Sequence, residues 1–111
     1  MVKEAYDSIA DTYHDTYCKD FYNNPYAKGD FTCYQMLLKH LSRGARILDL
    51  GCGCGKVAKY FSDLGFVTVG LDFSEGMLSH ARQDYPELDF RLQDISNFNL
   101  SDKFDGAIYA Y

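Results

Sequence analysis

The sequence predicts an α/β fold, a doubly wound parallel sheet with helices on both faces. Three observations predict it. Short apolar runs alternate with segments of helical periodicity over residues 46–111, the pattern of βαβ units. The run Ile47-Leu48-Asp49-Leu50 passes straight into Gly51-Cys52-Gly53-Cys54-Gly55. A strand, a glycine-rich turn and a helix start make the ligand crevice of an open α/β sheet. An acid, Asp72, then ends the next apolar run.

Taken in order, residues 2–17 carry a helical pattern, with Ala5, Ile9, Tyr13 and Tyr17 at four-residue spacing and Tyr6 and Ala10 beside them. Asn23-Asn24-Pro25 and Gly29-Asp30 are turn signals. A helix is expected from about Phe31 to Leu41, with Asp30 as its N-cap and Arg43-Gly44 as its stop. Strand one is expected at 46–50, a helix at 55–64 closed by Gly65, and strand two from Phe66 to Leu71. Ser74 caps a helix from Glu75 to Gln83 that stops near Pro86. Strand three runs from Leu88 to Gln93 and strand four from Phe104 to Ala110. The organisation is therefore an N-terminal helical cap, 1–45, and an α/β half-domain of about four strands, 46–111, in one compact unit. The sequence stops beside a strand that reads as central, so the domain is expected to be truncated.

Composition excludes several function classes. At 111 residues, 47% apolar and 24% charged, the chain suits one small globular domain. A formal charge of −5 without a Lys/Arg block argues against nucleic acid, whose phosphates call for a basic face. No apolar run approaches the ~20 residues that span a bilayer, so no membrane partner is expected. The first residues, MVKEAYDSIAD, lack the apolar core of a signal peptide. Cys18, Cys33, Cys52 and Cys54 are thus expected as reduced thiols in the cytoplasm. Cys52 and Cys54 sit inside the glycine turn without a second pair at zinc spacing, so packing is favoured over a metal site.

Gly51-x-Gly53-x-Gly55 departs from the dinucleotide fingerprint, whose third glycine would fall at Lys56. Asp72 stands where an acid accepts ribose hydroxyls, or else caps a helix or lies in solvent. Asp49, inside an apolar strand, needs hydrogen bonds or a cation. It anchors a positively charged ligand group, or holds the glycine turn by accepting backbone N–H bonds, or does both. Asp94 follows strand three on the same carboxyl edge, as a ligand acid or an exposed loop acid. His14, His40 and His80 lie in helical stretches and receive no catalytic role.

Together these segments resemble class I S-adenosylmethionine-dependent methyltransferases of small-molecule type. ILDLGCGCG resembles the family's first motif, and LDFSEGMLSHAR its second acidic loop and following helix, where a Ser-x-x-Met-Leu pattern includes Met77. QDI at 93–95, FDGAIYAY at the fourth strand and the opening YDSIADTYHDTY complete the ordered set. The resemblance implies a Rossmann-like fold and S-adenosylmethionine as cofactor, leaving S-adenosylhomocysteine as product. It implies the backbone of Gly51, Cys52 and Gly53 against the methionine part, Asp49 near the ammonium, Asp72 on the ribose hydroxyls and Phe73 on the adenine face. It further implies Asp94 at the adenine amino group, Ile95 beside the ring, and Tyr109 and Ala110 flanking the methionine end. Tyr6 and Tyr13 would close over the site, or simply pack their helix on the domain.

The sulfonium is already an activated donor, so alignment of an in-line attack suffices and no catalytic acid, base or metal is expected. The acceptor implied is a small molecule. Two other readings stand beside this one. The chain is a non-catalytic S-adenosylmethionine-binding or self-assembling remnant, or, less favoured because of Lys56, half of an NAD-binding oxidoreductase. The apolar edge Ala107-Ile108-Tyr109 predicts a homodimer through paired fourth strands.

Overall fold

The computed structural model describes residues 9–10, 28–94 and 103–109, with side chains from Thr32 onward in the first helix. Its elements are α1 (Lys28–Leu38), β1 (Arg46–Leu50), α2 (Lys56–Asp63), β2 (Val67–Asp72), α3 (Glu75–Asp84), β3 (Asp89–Leu92) and β4 (Gly106–Tyr109). Residues 9–10 are helical. The rest of the expected 2–17 helix, with Tyr6, Tyr13 and His14, lies outside the described residues, as do Cys18, Ile95 and Ala110.

The four strands form one sheet of order β3-β2-β1-β4, parallel at every pairing. Strand order reverses at β1, which places a switch-point crevice between the carboxyl ends of β1 and β4. The Rossmann-like half-sheet expected from the sequence is therefore present. Asp105 secures the entry to β1 and β4. Its carboxylate accepts from the Arg46 N–H at 2.8 Å, and its own N–H donates to the Arg46 carbonyl at 2.8 Å.

Register and alternation divide the sheet into two faces. Ile47, Asp49, Thr68, Gly70, Asp72, Phe90 and Ile108 share one of them. All three described helices pack there. Tyr34, Ile47, Phe61 and Ile108 form one cluster, joined by Leu37 and Leu38 of α1 and Val57 and Tyr60 of α2. Phe61 is its centre, fully buried with Tyr34, Tyr60 and Phe66 edge-on at 5.2–6.2 Å between ring centroids. A second cluster joins Ala58 of α2 to Leu78 and Ala81 of α3 over Cys52 and Phe90. On the opposite face Leu48, Val69 and Leu71 are buried, with Leu50 and Phe104 against them.

Helix ends follow their local chemistry. At the end of α2, Leu64 is the C-cap and Gly65 follows at φ 95. The Phe66 N–H returns to the Phe61 carbonyl at 3.2 Å, the bond of a Schellman turn. Ser74 caps α3 as expected, its hydroxyl accepting from the Met77 N–H at 3.2 Å. The first helix differs from expectation. It begins at Lys28, so Asp30 lies inside its first turn rather than capping it, and it ends at Leu38, three residues early. An acid in a first turn meets the same partial positive charge as an acid at the cap, so the sequence signal is degenerate by about one turn.

Candidate functional site

The site grows out of the end of β1. Gly51, Gly53 and Gly55 have φ of 68°, 54° and 87°, values that cost an L-residue roughly 1–2 kcal/mol each. The Cys52 N–H continues the parallel ladder to the Leu71 carbonyl at 2.9 Å, and the Gly55 N–H closes a turn on the Cys52 carbonyl at 3.0 Å. Gly55 then opens α2, its carbonyl accepting from Lys59 N–H at 2.9 Å. A Cβ on Gly55 would lie 2.6 Å from Phe90 Cζ, so this glycine allows close helix–sheet approach as well as the turn. Gly70 does similar work on β2, where a Cβ would meet Cys52 Sγ and Phe90 at 2.8 Å.

Two carboxylates stand under this turn, and their surroundings differ. Asp72 is 6% exposed. One of its oxygens accepts from the Gly53 N–H at 2.8 Å, the other from the Ser74 N–H at 2.9 Å. Asp72 thus ties the glycine turn to the start of α3. Asp49 is 2% exposed, on the same sheet face one strand over. Its Oδ2 is buried without a hydrogen-bond partner among the described residues. Burial, and then the charge of Asp72, push its pKa up from 3.8 to about 7, while the Ala58 backbone N–H of α2 opposes them. The turn's own Gly53 N–H goes to Asp72, while Asp49 meets the Ala58 N–H in the first turn of α2. Burial also pushes the Cys52 thiol well up, with Asp49 and Asp72 adding to it.

The other expected site residues are distributed around the same carboxyl edge. Phe73 follows Asp72 and is half-buried. Met77 is buried with Cys54 and Ala10. Its Cε lies 3.1 Å from where a Cβ on Gly53 would stand, so Met77 supports the turn from below. Asp94 is exposed, two residues past β3. Tyr109 ends β4 opposite Leu50 and is 57% exposed. Lys56, at the position where the dinucleotide fingerprint has glycine, opens α2 and donates to the Tyr85 hydroxyl at 2.8 Å. The expectation of four reduced thiols is corrected at Cys54 and, with it, at its bonding partner. Cys33 and Cys52 are free, whereas Cys54 is disulfide-bonded, its partner lying outside the described residues. Pairing depends on which segments fold together, which spacing alone does not reveal.

Sequence reasoning missed three features: the paired N–H bonds of Asp72, the contact of Ala10 with the underside of the turn, and the Cys54 bond. Only Gly70, a glycine interrupting an apolar strand, advertised close approach in the sequence.

The residues present fit S-adenosylmethionine. The orphaned, buried Asp49 Oδ2 calls for a donor or a cation. The turn is free of the tight phosphate-facing third glycine that a pyrophosphate would use, and Lys56 occupies that position. An acid stands at the end of β2, where ribose hydroxyls are taken in this topology.

Comparison with known proteins agrees. A methyltransferase domain model matches residues 47–111. The trans-aconitate 2-methyltransferase of Variovorax paradoxus is 40% identical over 73 residues, covering 63% of this chain and 28% of that protein. Among solved structures, DesVI of Streptomyces venezuelae superposes with a TM-score of 0.68 at 28% identity, over 80% of this chain and 38% of that one. An S-adenosylmethionine-dependent methyltransferase of Clostridium acetobutylicum gives 0.66 at 27%, over 95% and 43%. The chain spans about a quarter of the length of the curated relatives it matches. With more than half of its residues under the domain model and the glycine turn and acids in place, the chain belongs to the S-adenosylmethionine-dependent methyltransferase domain family.

Proposed function

We propose that the chain binds S-adenosylmethionine at the β1–β4 crevice and serves methyl transfer to a small-molecule acceptor. The observation that supports it most is the pairing of Asp72 with the three-glycine turn. The acid is fixed by two N–H bonds at the edge where a ribose would lie. Bound there, the cofactor supplies an activated methyl group on a sulfonium. The chain's own part is binding and alignment. Backbone at Gly51, Cys52 and Gly53 faces the methionine portion, and Asp49 the ammonium. Asp72 takes the ribose hydroxyls, Phe73 and Ile95 flank the adenine, and Asp94 accepts from its amino group. Met77 holds the turn, while Tyr109, with Tyr6 and Tyr13, borders the methionine end. These assignments use no acid–base residue, in keeping with alignment as the main requirement. Residues 1–45 act as the cap and 46–111 as the cofactor-binding half.

The acceptor class is suggested by relatives named for trans-aconitate and for an amino-sugar nucleotide. Because the chain spans a fraction of their length, a binding module without turnover is the second reading. The exposed Tyr109 at the end of β4, which is an edge of the described sheet, supports pairing of two copies through that strand. The free thiols of Cys33 and Cys52 suit the cytoplasm, while the Cys54 bond pulls the other way. Thiol counting on freshly isolated protein decides between them. No described helix is long and apolar enough to cross a membrane.

Calorimetric titration tests the reading. S-adenosylmethionine and S-adenosylhomocysteine should bind and NAD should not. NAD binding with neither sulfur nucleotide bound would overturn it. Asp72→Ala should weaken nucleotide binding by about 1.5–3 kcal/mol, as for a hydrogen bond to a charged group. Unchanged affinity removes Asp72 from the ribose.

A further inference from the structure

The two cysteines of the glycine turn pack in different places. Cys52 lies among Ala58, Leu78, Ala81 and Phe90, and its thiol is free. Cys54 packs with Ala10 and Met77, is 5% exposed and carries a disulfide. Cys33, on α1, is free and exposed. Of the four cysteines in the sequence this leaves Cys18 as the partner, in the N-terminal stretch that also supplies Ala10. The position of Cys54 gives the bond its leverage. It stands between Gly53 at φ 54 and Gly55 at φ 87, and glycine has the most backbone freedom to lose on ordering. The other holds on this part of the turn are non-covalent. The Gly53 N–H donates to the Asp72 carboxylate at 2.8 Å, and Met77 Cε lies against Gly53.

We propose that the Cys54 disulfide, made to Cys18, is a redox clasp on the S-adenosylmethionine site. Oxidised, it holds the glycine turn in its binding shape; reduced, it lets the turn loosen and weakens the ligand's grip. The inference rests on the proposed cofactor reading and adds regulation to it.

The exchange balances with a dithiol as reductant. One of its thiolates attacks a sulfur of the protein disulfide, and the S–S bond breaks. Its second thiol then closes the reductant's own disulfide, leaving two protein thiols that carry the two electrons and two protons it gave up. A disulfide oxidant runs the same steps backward. The fold has a place for either state, because a Cys54 thiol packs as a small hydrophobe against Ala10 and Met77. Cys52 stays out of the exchange, since burial pushes its thiol well up and the thiolate is the reactive form. A turn already held spares the ligand the cost of ordering it, so affinity follows redox state.

The experiment is calorimetry on the whole chain in reduced and in oxidised dithiothreitol, with S-adenosylhomocysteine as the probe. Peptide mapping should join the Cys18 and Cys54 peptides in the oxidised chain and separate them in the reduced one. Binding should be about three- to tenfold weaker after reduction, and re-oxidation should restore it. Cys18→Ser should bind as the reduced parent does and ignore the buffer, while Cys33→Ser keeps the full response. Circular dichroism of the reduced parent should show a folded chain, so the reading does not depend on a variant. A map without the Cys18–Cys54 link, or equal or tighter binding after reduction, overturns the clasp and leaves the cofactor reading intact. Loss of the fold on reduction also overturns it, making the bond purely structural. Absence of binding in both states overturns the cofactor reading and the proposal together.

Discussion

Asp49 illustrates how one side chain can oppose the fold it sits in. Its pKa is about 7 in the folded chain against an ordinary 3.8. The native state therefore holds a proton that the unfolded state has lost between pH 4 and 7. Stability from this group is fully present below pH 4 and declines as pH rises through 7. Asp49→Asn should remove that decline, leaving the variant more stable than the parent at pH 8 by on the order of a few kcal/mol and little changed at pH 4. Denaturant melts at the two pH values check it; equal stabilities at pH 8 count against the buried, proton-holding state. Gly55 makes the complementary case. Gly55→Ala combines φ of 87° with a Cβ 2.6 Å from Phe90 Cζ. A loss of about 2–4 kcal/mol is expected from backbone strain and overpacking together. Gly44→Ala, with a similar φ and open space around it, should lose only the strain part, and the pair of urea melts separates the two causes.

At the scale of elements, the caps and the aromatic cluster bear most of the testable energy. Ser74→Ala should cost about 1 kcal/mol for its cap on α3. Phe61→Ala, in the centre of the α1–α2 contact with the sheet, should cost about 3–5 kcal/mol. Both are read from chemical denaturation. The elements were legible because their signals are local. Apolar runs of strand length, Gly65 after α2 and Ser74 before α3 each act within a few residues. The start of α1 was less legible, since Asp30 serves a first turn as well as a cap. The site was legible in part. The end of β2 announced Asp72 as an acid at the ligand edge. That one oxygen would accept from Gly53, 19 residues away, depends on two loops meeting in space, which no local pattern encodes, whereas the bond from Ser74 two residues on is a local Asx turn. The Cys54 bond was hidden for the same reason.

For the whole molecule, the place of β4 at an edge of the described sheet predicts association. Sedimentation at tens of micromolar should give a dimer, in roughly the range where unpaired edges drive pairing. A single monomeric species would refute the paired-strand interface. Substituting Ala107, exposed on the edge strand, by Lys should shift the equilibrium toward monomer while sparing nucleotide affinity.

The position of β4 also sets how the sheet opens. Arg46 and Asp105, which join β1 to β4, are 59 residues apart in the chain, whereas the partners Arg46↔Val67 and Val69↔Asp89 of the other two pairings are 21 and 20 apart, across one helix each. The longest closure supports a ladder of only four residue pairs at one edge, no longer than the ladder of β3 at the other. Sub-global unfolding should therefore start there, with the amides of β4 exchanging with deuterium ahead of those in β1 and β2. The binding crevice then lies between the most protected strand of the molecule and the least. A ligand held across it should slow exchange at β4 far more than at β1, so the footprint of occupancy will appear in the edge strand rather than in the central one.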